Sequence, residues 1–221
     1  MRCLLMAFTI LVPWVIRRRI LETVFGYKLH PESHIGLSWI YPRELILAKG
    51  ARIGHFTVCK SIRRLHLMEH ATIGRGNWIT GFPEGGSTHF AHQPDRVPEL
   101  VVGAHSAITH RHIIDCTHSV QIGHHTTVAG YQSQIMTHSI DLNESRQHSE
   151  PISIGDYCFV GTQCVILGGS TLPSYSVLGA KALLQKRYEA QHTLYAGVPA
   201  VAVKSLDPGL KYFHRESGFV V

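Results

Sequence analysis

The chain has 221 residues, 44% of them hydrophobic, and a formal net charge of +6. That is enough for one domain with a substantial core, and no linker divides it. Residues 1–30 carry five Lys/Arg against one acidic residue, residues 31–180 ten against eleven, and residues 181–221 six against three. The neutral body lacks the basic, aromatic-interleaved face that nucleic acid requires, so nucleic acid is excluded as a partner. Basic ends suit local anions: a membrane surface at the N-terminus and a phosphorylated ligand near the C-terminus. Five cysteines, an odd number without CxxC spacing, point to a reducing, cytoplasmic setting.

Residues 1–30 form a first unit. An apolar run from Cys3 to Ile16 is interrupted by Pro13 and meets Arg17, Arg18 and Arg19. It falls short of the ~20 residues of a spanning helix, and the arginines stand where a signal peptide would show its cleavage site. Two readings stay open. The segment is either an interfacial helix that brings residues 1–25 to the inner membrane face, with Trp14 and the arginines at headgroup level, or a cap over the open edge of the repeat domain.

From residue 31 to 206 the pattern changes to a period of six. Ile154, Val160, Ile166, Leu172, Leu178 and Leu184 form an unbroken aliphatic ladder, with Cys158, Cys164, Ser170, Ser176 and Ala182 in the fourth place after successive rungs. A six-residue period fits neither an amphipathic helix nor an alternating strand. It fits an all-β parallel β-helix of hexapeptide repeats, in which three hexapeptides make one triangular coil. Upstream the ladder continues with slips through Leu47, Ile53 and Cys59, then Leu67, Ile73 and Ile79, then Val102, Ile108 and Ile114, then Ile122 and Val128. Two segments leave the pattern, 81–99 and 138–151, and are expected to be extruded loops. Such loops usually carry a solenoid's function, because the rungs are occupied with packing. Residues 207–221 are read as a C-terminal extension.

The second loop opens Thr137-His138-Ser139-Ile140-Asp141 and closes Pro151-Ile152-Ser153-Ile154-Gly155; further along come Phe159-Val160-Gly161-Thr162, Leu178-Gly179-Ala180, Gln185-Lys186 and Ala196-Gly197-Val198-Pro199-Ala200. In this order these elements resemble the left-handed β-helix O-acetyltransferases, the galactoside/maltose acetyltransferase group and its exopolysaccharide relatives, over about residues 100–206. The resemblance implies a homotrimer that uses acetyl-CoA, with no metal, to acetylate a sugar or glycan hydroxyl in polysaccharide biosynthesis. It implies His138 as general base, since imidazole titrates near neutral pH. Asp141 or a backbone carbonyl would orient the ring. Gly161, Thr162 and Ala180 would form the edge for the pantetheine arm, and Lys186 and Lys204 would meet the CoA phosphates. Val201 stands where the family often has an arginine. On the acceptor side the register points to Asp115 and to Thr109, which stands where the family has an asparagine that assists the histidine, with Thr117 at a position the family fills with an acidic contact; neither family residue is kept, which argues against a free galactoside or maltose as acceptor. The insert 78–99 adds Trp78, Phe82, His89, Phe90 and His92 as a candidate acceptor wall.

Two rivals share the fold. A metal hydrase of the γ-carbonic anhydrase type needs three histidine ligands, and His105 and His110 have a plausible spacing. A non-catalytic, membrane-associated scaffold is the other.

Overall fold

A computed structural model describes residues 2–85, 89–218 and 220, without the side chains of residues 2–4. Cys3's side chain and residues 86–88 of the insert thus lie outside the described residues. Two helices, α1 (Arg2–Ile10) and α2 (Trp14–Phe25), precede the strands. Among the described residues the strands form three long sheets of seven, nine and seven, parallel except for the final hairpin of the second, and one two-stranded antiparallel hairpin.

Each coil contributes one strand to each long sheet, and every ladder residue faces in. In the first sheet Leu47 lies on Leu67 and Ile154 on Leu172. In the second Ile53 lies on Ile73 and Val160 on Leu178. In the third Cys59 lies on Ile79 and Ile166 on Leu184. All these side chains are at most 2% exposed, and each is worth about 1.5–3 kcal/mol of burial. The small fourth-place residues are buried at the corners. Burial pushes the Cys158 thiol up to about 12, the mark of a packing cysteine rather than a reactive one.

The ladder is longer than the sequence reading made it. Leu29, Ile35 and Ile40 build a further coil beneath Leu47, Ile53 and Cys59. The solenoid thus starts at Lys28, inside the segment assigned to the N-terminal unit. Ile135 completes the coil of Ile122 and Val128; it is seven residues past Val128 because Gly130, at φ +74°, adds one residue to the turn. The two-residue slips fall where a first-sheet strand turns two residues inward, as Leu65 and Leu67 or Val120 and Ile122 do.

The helices close the first coil. Trp14 donates its indole N–H to the Ser33 carbonyl at 2.9 Å. Arg17, 2% exposed, donates to the carbonyls of Gly36 at 2.8 Å and Ser38 at 2.7 Å. This corrects the reading of Arg17–Arg19 as one headgroup cluster: Arg17 is spent on the coil edge and Arg18 pairs with Glu22. An apolar face nevertheless stays open, with Phe8, Leu11, Val15 and Ile16 exposed. No helix among the described residues is long and apolar enough to cross a membrane.

The corner between first and second sheets explains several of the histidines. His70, His105, His125, Tyr157, Tyr175 and His192 occupy left-handed turn positions on successive coils. Their rings stack with centroids 4.6–5.4 Å apart. The C-terminal extension folds back along this stack. Phe213 meets Tyr175 and His192 edge-on, and the Arg215 guanidinium lies 3.9 Å from the Tyr212 ring centre.

Candidate functional site

Both extruded segments leave the solenoid at one corner, between the third and first sheets, with one coil between their exits. The second is not an irregular loop. It is a β-hairpin, His138–Asp141 against Arg146–Ser149, with His138 opposite Ser149 and Asp141 opposite Arg146. Gln93 of the first segment binds it: its amide N–H donates to the Ser149 carbonyl at 2.9 Å, and its amide oxygen accepts from the Ser149 N–H and hydroxyl at 3.0 Å.

His138 sits where the two segments meet. Its backbone N–H donates to the Asp115 carboxylate at 2.8 Å. The Phe82 and Phe90 rings meet its imidazole edge-on at 5.2 and 5.7 Å. Its Nε2 contacts the amide oxygen of Gln147. The Gln147 amide thus holds one ring nitrogen of His138. Behind the aromatics, the buried Arg96 donates to the carbonyls of Phe82 and Pro83 and lies 4.3 Å from the Phe90 ring centre. Burial lowers its pKa, with Glu84 and Asp115 opposing. Gln147, Gln93 and Arg96 were not singled out from sequence. Their roles depend on cross-loop pairing that no local motif encodes.

Several expected residues take other places. The Asp141 carboxylate accepts from the N–H groups of Asn143 and Glu144 at the far end of the hairpin and faces Arg146 at 3.6 Å, so it closes the turn rather than orienting His138. Asp115 is buried, and its oxygens take Thr117, Thr137 and the His138 N–H. It is a support for His138, not a surface for an acceptor. Thr109 gives its hydroxyl proton to the carbonyls of Val128 or Gly130 and contacts His112 Nε2, which likewise removes it from the acceptor surface. Trp78 is 47% exposed on the outer face of the third sheet beside Lys60, in register with Ile113 and away from His138.

The small-residue edge forms at a different corner, between second and third sheets. Thr162 exchanges hydrogen bonds with the Tyr131 backbone below and accepts the Lys181 N–H from the coil above at 2.9 Å. A Cβ on Gly161 would stand 2.6 Å from the Ala180 nitrogen, so Gly161, Thr162 and Ala180 do lie together. Lys181, overlooked in the sequence, is the cation beside them. Lys186 is elsewhere: its carbonyl accepts the Thr171 N–H at the loop corner. Lys204 is on the terminal hairpin, opposite Leu194. His105 and His110 end up at different corners, at either end of one second-sheet strand, His105 in the ring stack and His110 accepting the Arg75 N–H. They do not converge on one metal, and among the described residues no group of three or more His, Cys, Asp or Glu converges.

No protein-family model matches the chain, and no curated protein matches it in sequence. Solved structures do. A hexapeptide-repeat acetyltransferase from Vibrio cholerae, in complex with acetyl-coenzyme A, is 22% identical over 65% of this chain and 71% of its own, with a TM-score of 0.52. The polysialic acid O-acetyltransferase OatWY is 17% identical over 81% and 84%, with a TM-score of 0.57. A variant of AntD, an N-acyltransferase from Bacillus cereus, in complex with dTDP and coenzyme A, is 10% identical over 89% and 92%, with a TM-score of 0.51. The chain is a left-handed hexapeptide-repeat β-helix. Within this β-helix the loop corner and the small-residue edge are separated by the width of the third sheet, the six residues from Thr162 to Gly168, which lies against Thr137, or up to about 20 Å of extended chain.

Proposed function

We propose that the protein is an acetyl-CoA-dependent O-acetyltransferase acting on a sugar or glycan hydroxyl, in polysaccharide biosynthesis. The observation that carries this reading is the grip on His138, an imidazole with one nitrogen held by Gln147 and two aromatic rings against it, at the root of a hairpin thrown out of a left-handed β-helix. The acetyl-CoA complex of the Vibrio cholerae protein and the glycan acceptor of OatWY support the choice of donor and acceptor.

The His138 imidazole takes the proton from the acceptor hydroxyl, whose oxygen attacks the thioester carbonyl carbon. The tetrahedral intermediate collapses with loss of the C–S bond, and His138 returns the proton to the departing thiolate. The Gly161 N–H donates to the Leu178 carbonyl within the ladder at 2.8 Å, so the oxyanion falls to the next backbone N–H, that of Thr162. The donor lies along Gly161, Thr162 and Ala180, with Lys181 at its phosphate end.

His138 and Thr162 stand at opposite ends of the third sheet, so one chain does not bring base and donor together. This supports a homotrimer in which His138 of one copy works on the donor edge of the next, and in which Lys186 reaches the donor only from a neighbour. Trp78 and Ile113, exposed side by side on the third sheet, are the apolar surface that such a neighbour would cover. The exposed face of α1 and α2 is assigned to the cytoplasmic membrane surface, where the acceptor would be lipid-linked.

The test is His138→Ala. Turnover should fall at least about a hundredfold, the usual worth of a positioned base, while CoA binding stays near wild type. Retained turnover would refute the base. Retained function in the absence of any CoA binding would favour the scaffold.

A further inference from the structure

We propose that the cavity between the two extruded segments is the acceptor subsite and that it selects an acidic sugar, one bearing a carboxylate or a phosphate ester. The inference rests on the O-acetyltransferase reading and adds the class of acceptor.

The cavity holds about 400 Å³ and is lined by His89, Phe90 and His92 from the first segment and Ile140, Ser145, Arg146 and Gln147 from the hairpin. Gln147 is also the partner of His138 Nε2, so a molecule seated here is one side chain from the base. The lining divides into two kinds. Phe90 and Ile140 offer apolar surface for the C–H face of a sugar ring, while Ser145 and Gln147 offer hydroxyl and amide groups; apolar walls with a few convergent polar groups are the usual make-up of a ligand site.

The charge is one-sided. Arg146 is a fixed cation, His89 and His92 add imidazole donors, and no carboxylate lines the cavity. The acidic residues nearest in the chain are Asp141 and Glu144. Asp141 is pinned by two turn N–H groups and faces the Nε edge of Arg146 at 3.6 Å. Among the described residues, the two terminal nitrogens of Arg146 have no hydrogen-bond partner. A guanidinium ion-paired along one edge leaves the other free as a fork, which matches the two oxygens of a carboxylate or phosphate. Asp141 therefore acquires a role distinct from the one expected of it: it sets the direction of Arg146. A neutral sugar would leave that fork to water, since the Arg146 side chain is 46% exposed.

The experiment uses the full-length protein with acetyl-CoA and three acceptors of equal length: a neutral oligosaccharide, a hexuronate oligosaccharide and one carrying a phosphate ester. The expected result is a kcat/KM at least tenfold higher for one or both acidic acceptors, a preference that collapses toward unity in Arg146→Gln and is partly restored in Arg146→Lys. The better of the two acidic acceptors distinguishes carboxylate from phosphate. Binding of the same oligosaccharides to His138→Ala, measured by calorimetry, separates this proposal from the catalytic one. Acidic-sugar binding that survives His138→Ala and is lost in the Arg146→Gln, His138→Ala double variant upholds the subsite even where no transfer is detected. Equal binding of neutral and acidic sugars, or acidic-sugar binding indifferent to Arg146→Gln, overturns it.

Discussion

The Asp115 carboxylate accepts the backbone N–H of His138 at 2.8 Å, across 23 residues of chain. The same carboxylate takes the hydroxyls of Thr117 at 2.6 Å and Thr137 at 2.9 Å. One buried anion on the third sheet thereby fixes the point at which the hairpin leaves the solenoid. Asp115→Ala strands three donors, and charge-assisted bonds of this kind are worth about 1.5–3 kcal/mol each. Urea unfolding should show a loss of about 2–4 kcal/mol, short of the sum because the network relaxes. Turnover should drop at least about tenfold, since a small misplacement of a base is costly, with the acetyl-CoA KM near wild type. A variant that loses stability but keeps its turnover would mean that the hairpin root tolerates the loss of its anchor.

Lys181 tests the donor edge. It follows Ala180, and its backbone N–H is bonded to the Thr162 carbonyl, so its exposed side chain starts from the edge assigned to the pantetheine arm. Removing one phosphate contact of the charged kind should raise the acetyl-CoA KM about tenfold in Lys181→Ala. Neither kcat nor the acceptor KM should follow. An unchanged acetyl-CoA KM moves the phosphates away from this corner.

The period of six was legible because one side chain per hexapeptide must point inward whatever the turns do, and Ile154 to Leu184 keep that rule without a slip. Leu29 and Ile35 obey it too, but the step from Ile35 to the next rung, Ile40, is five residues and breaks the phase. Ile135 escaped because Gly130 lengthens its turn by one residue. His138 could be placed by its position at the exit of the solenoid. Its surroundings could not: Phe82, Phe90 and Gln147 reach it from segments whose spacing follows no period, and Arg96 acts through carbonyls that have no sequence signature. Lys186 lies away from Thr162 for a plainer reason. A count of 24 residues from Thr162 to Lys186 is one coil and one further side, which places the two at different corners.

His112 ties stability to pH. It is fully buried; Nδ1 accepts the Ser133 N–H at 3.1 Å, and Nε2 meets the Thr109 hydroxyl. Burial, with His110 adding a smaller repulsion, pushes its pKa down to about 4. The unfolded chain titrates near 6.5 and so binds the proton first as pH falls. The contribution is complete above about pH 6.5 and is lost progressively as pH drops toward 4, to a total of about 3 kcal/mol. Burial also lowers His105, His118 and His125, which act with the same sign. Urea midpoints at pH 7, 5.5 and 4 should fall steeply in the wild type and less steeply in His112→Gln. Parallel slopes would show that the buried imidazole is not the group responsible.

Arg17 separates the two readings of the N-terminus. Its guanidinium satisfies the Gly36 and Ser38 carbonyls at the open edge of the first coil, so it serves the solenoid whether or not a membrane is present. Arg17→Ala should cost about 2–4 kcal/mol, because it removes two charge-assisted bonds and leaves buried acceptors behind. Arg17→Lys should recover little of this, since one ammonium does not reproduce a fork directed at two carbonyls. Binding to anionic vesicles should respond to different residues. Phe8→Ser with Leu11→Ser removes apolar surface from the exposed face and should release the protein, while Arg19→Gln should weaken binding by about 1 kcal/mol, the worth of one cation near the headgroups. Deletion of residues 2–25 removes both functions at once, exposing the edge of the first coil to self-association. A truncated protein that stays monodisperse with an unchanged melting temperature would refute the cap. A full-length protein that ignores anionic vesicles at low salt would refute the membrane contact, and with it the lipid-linked acceptor.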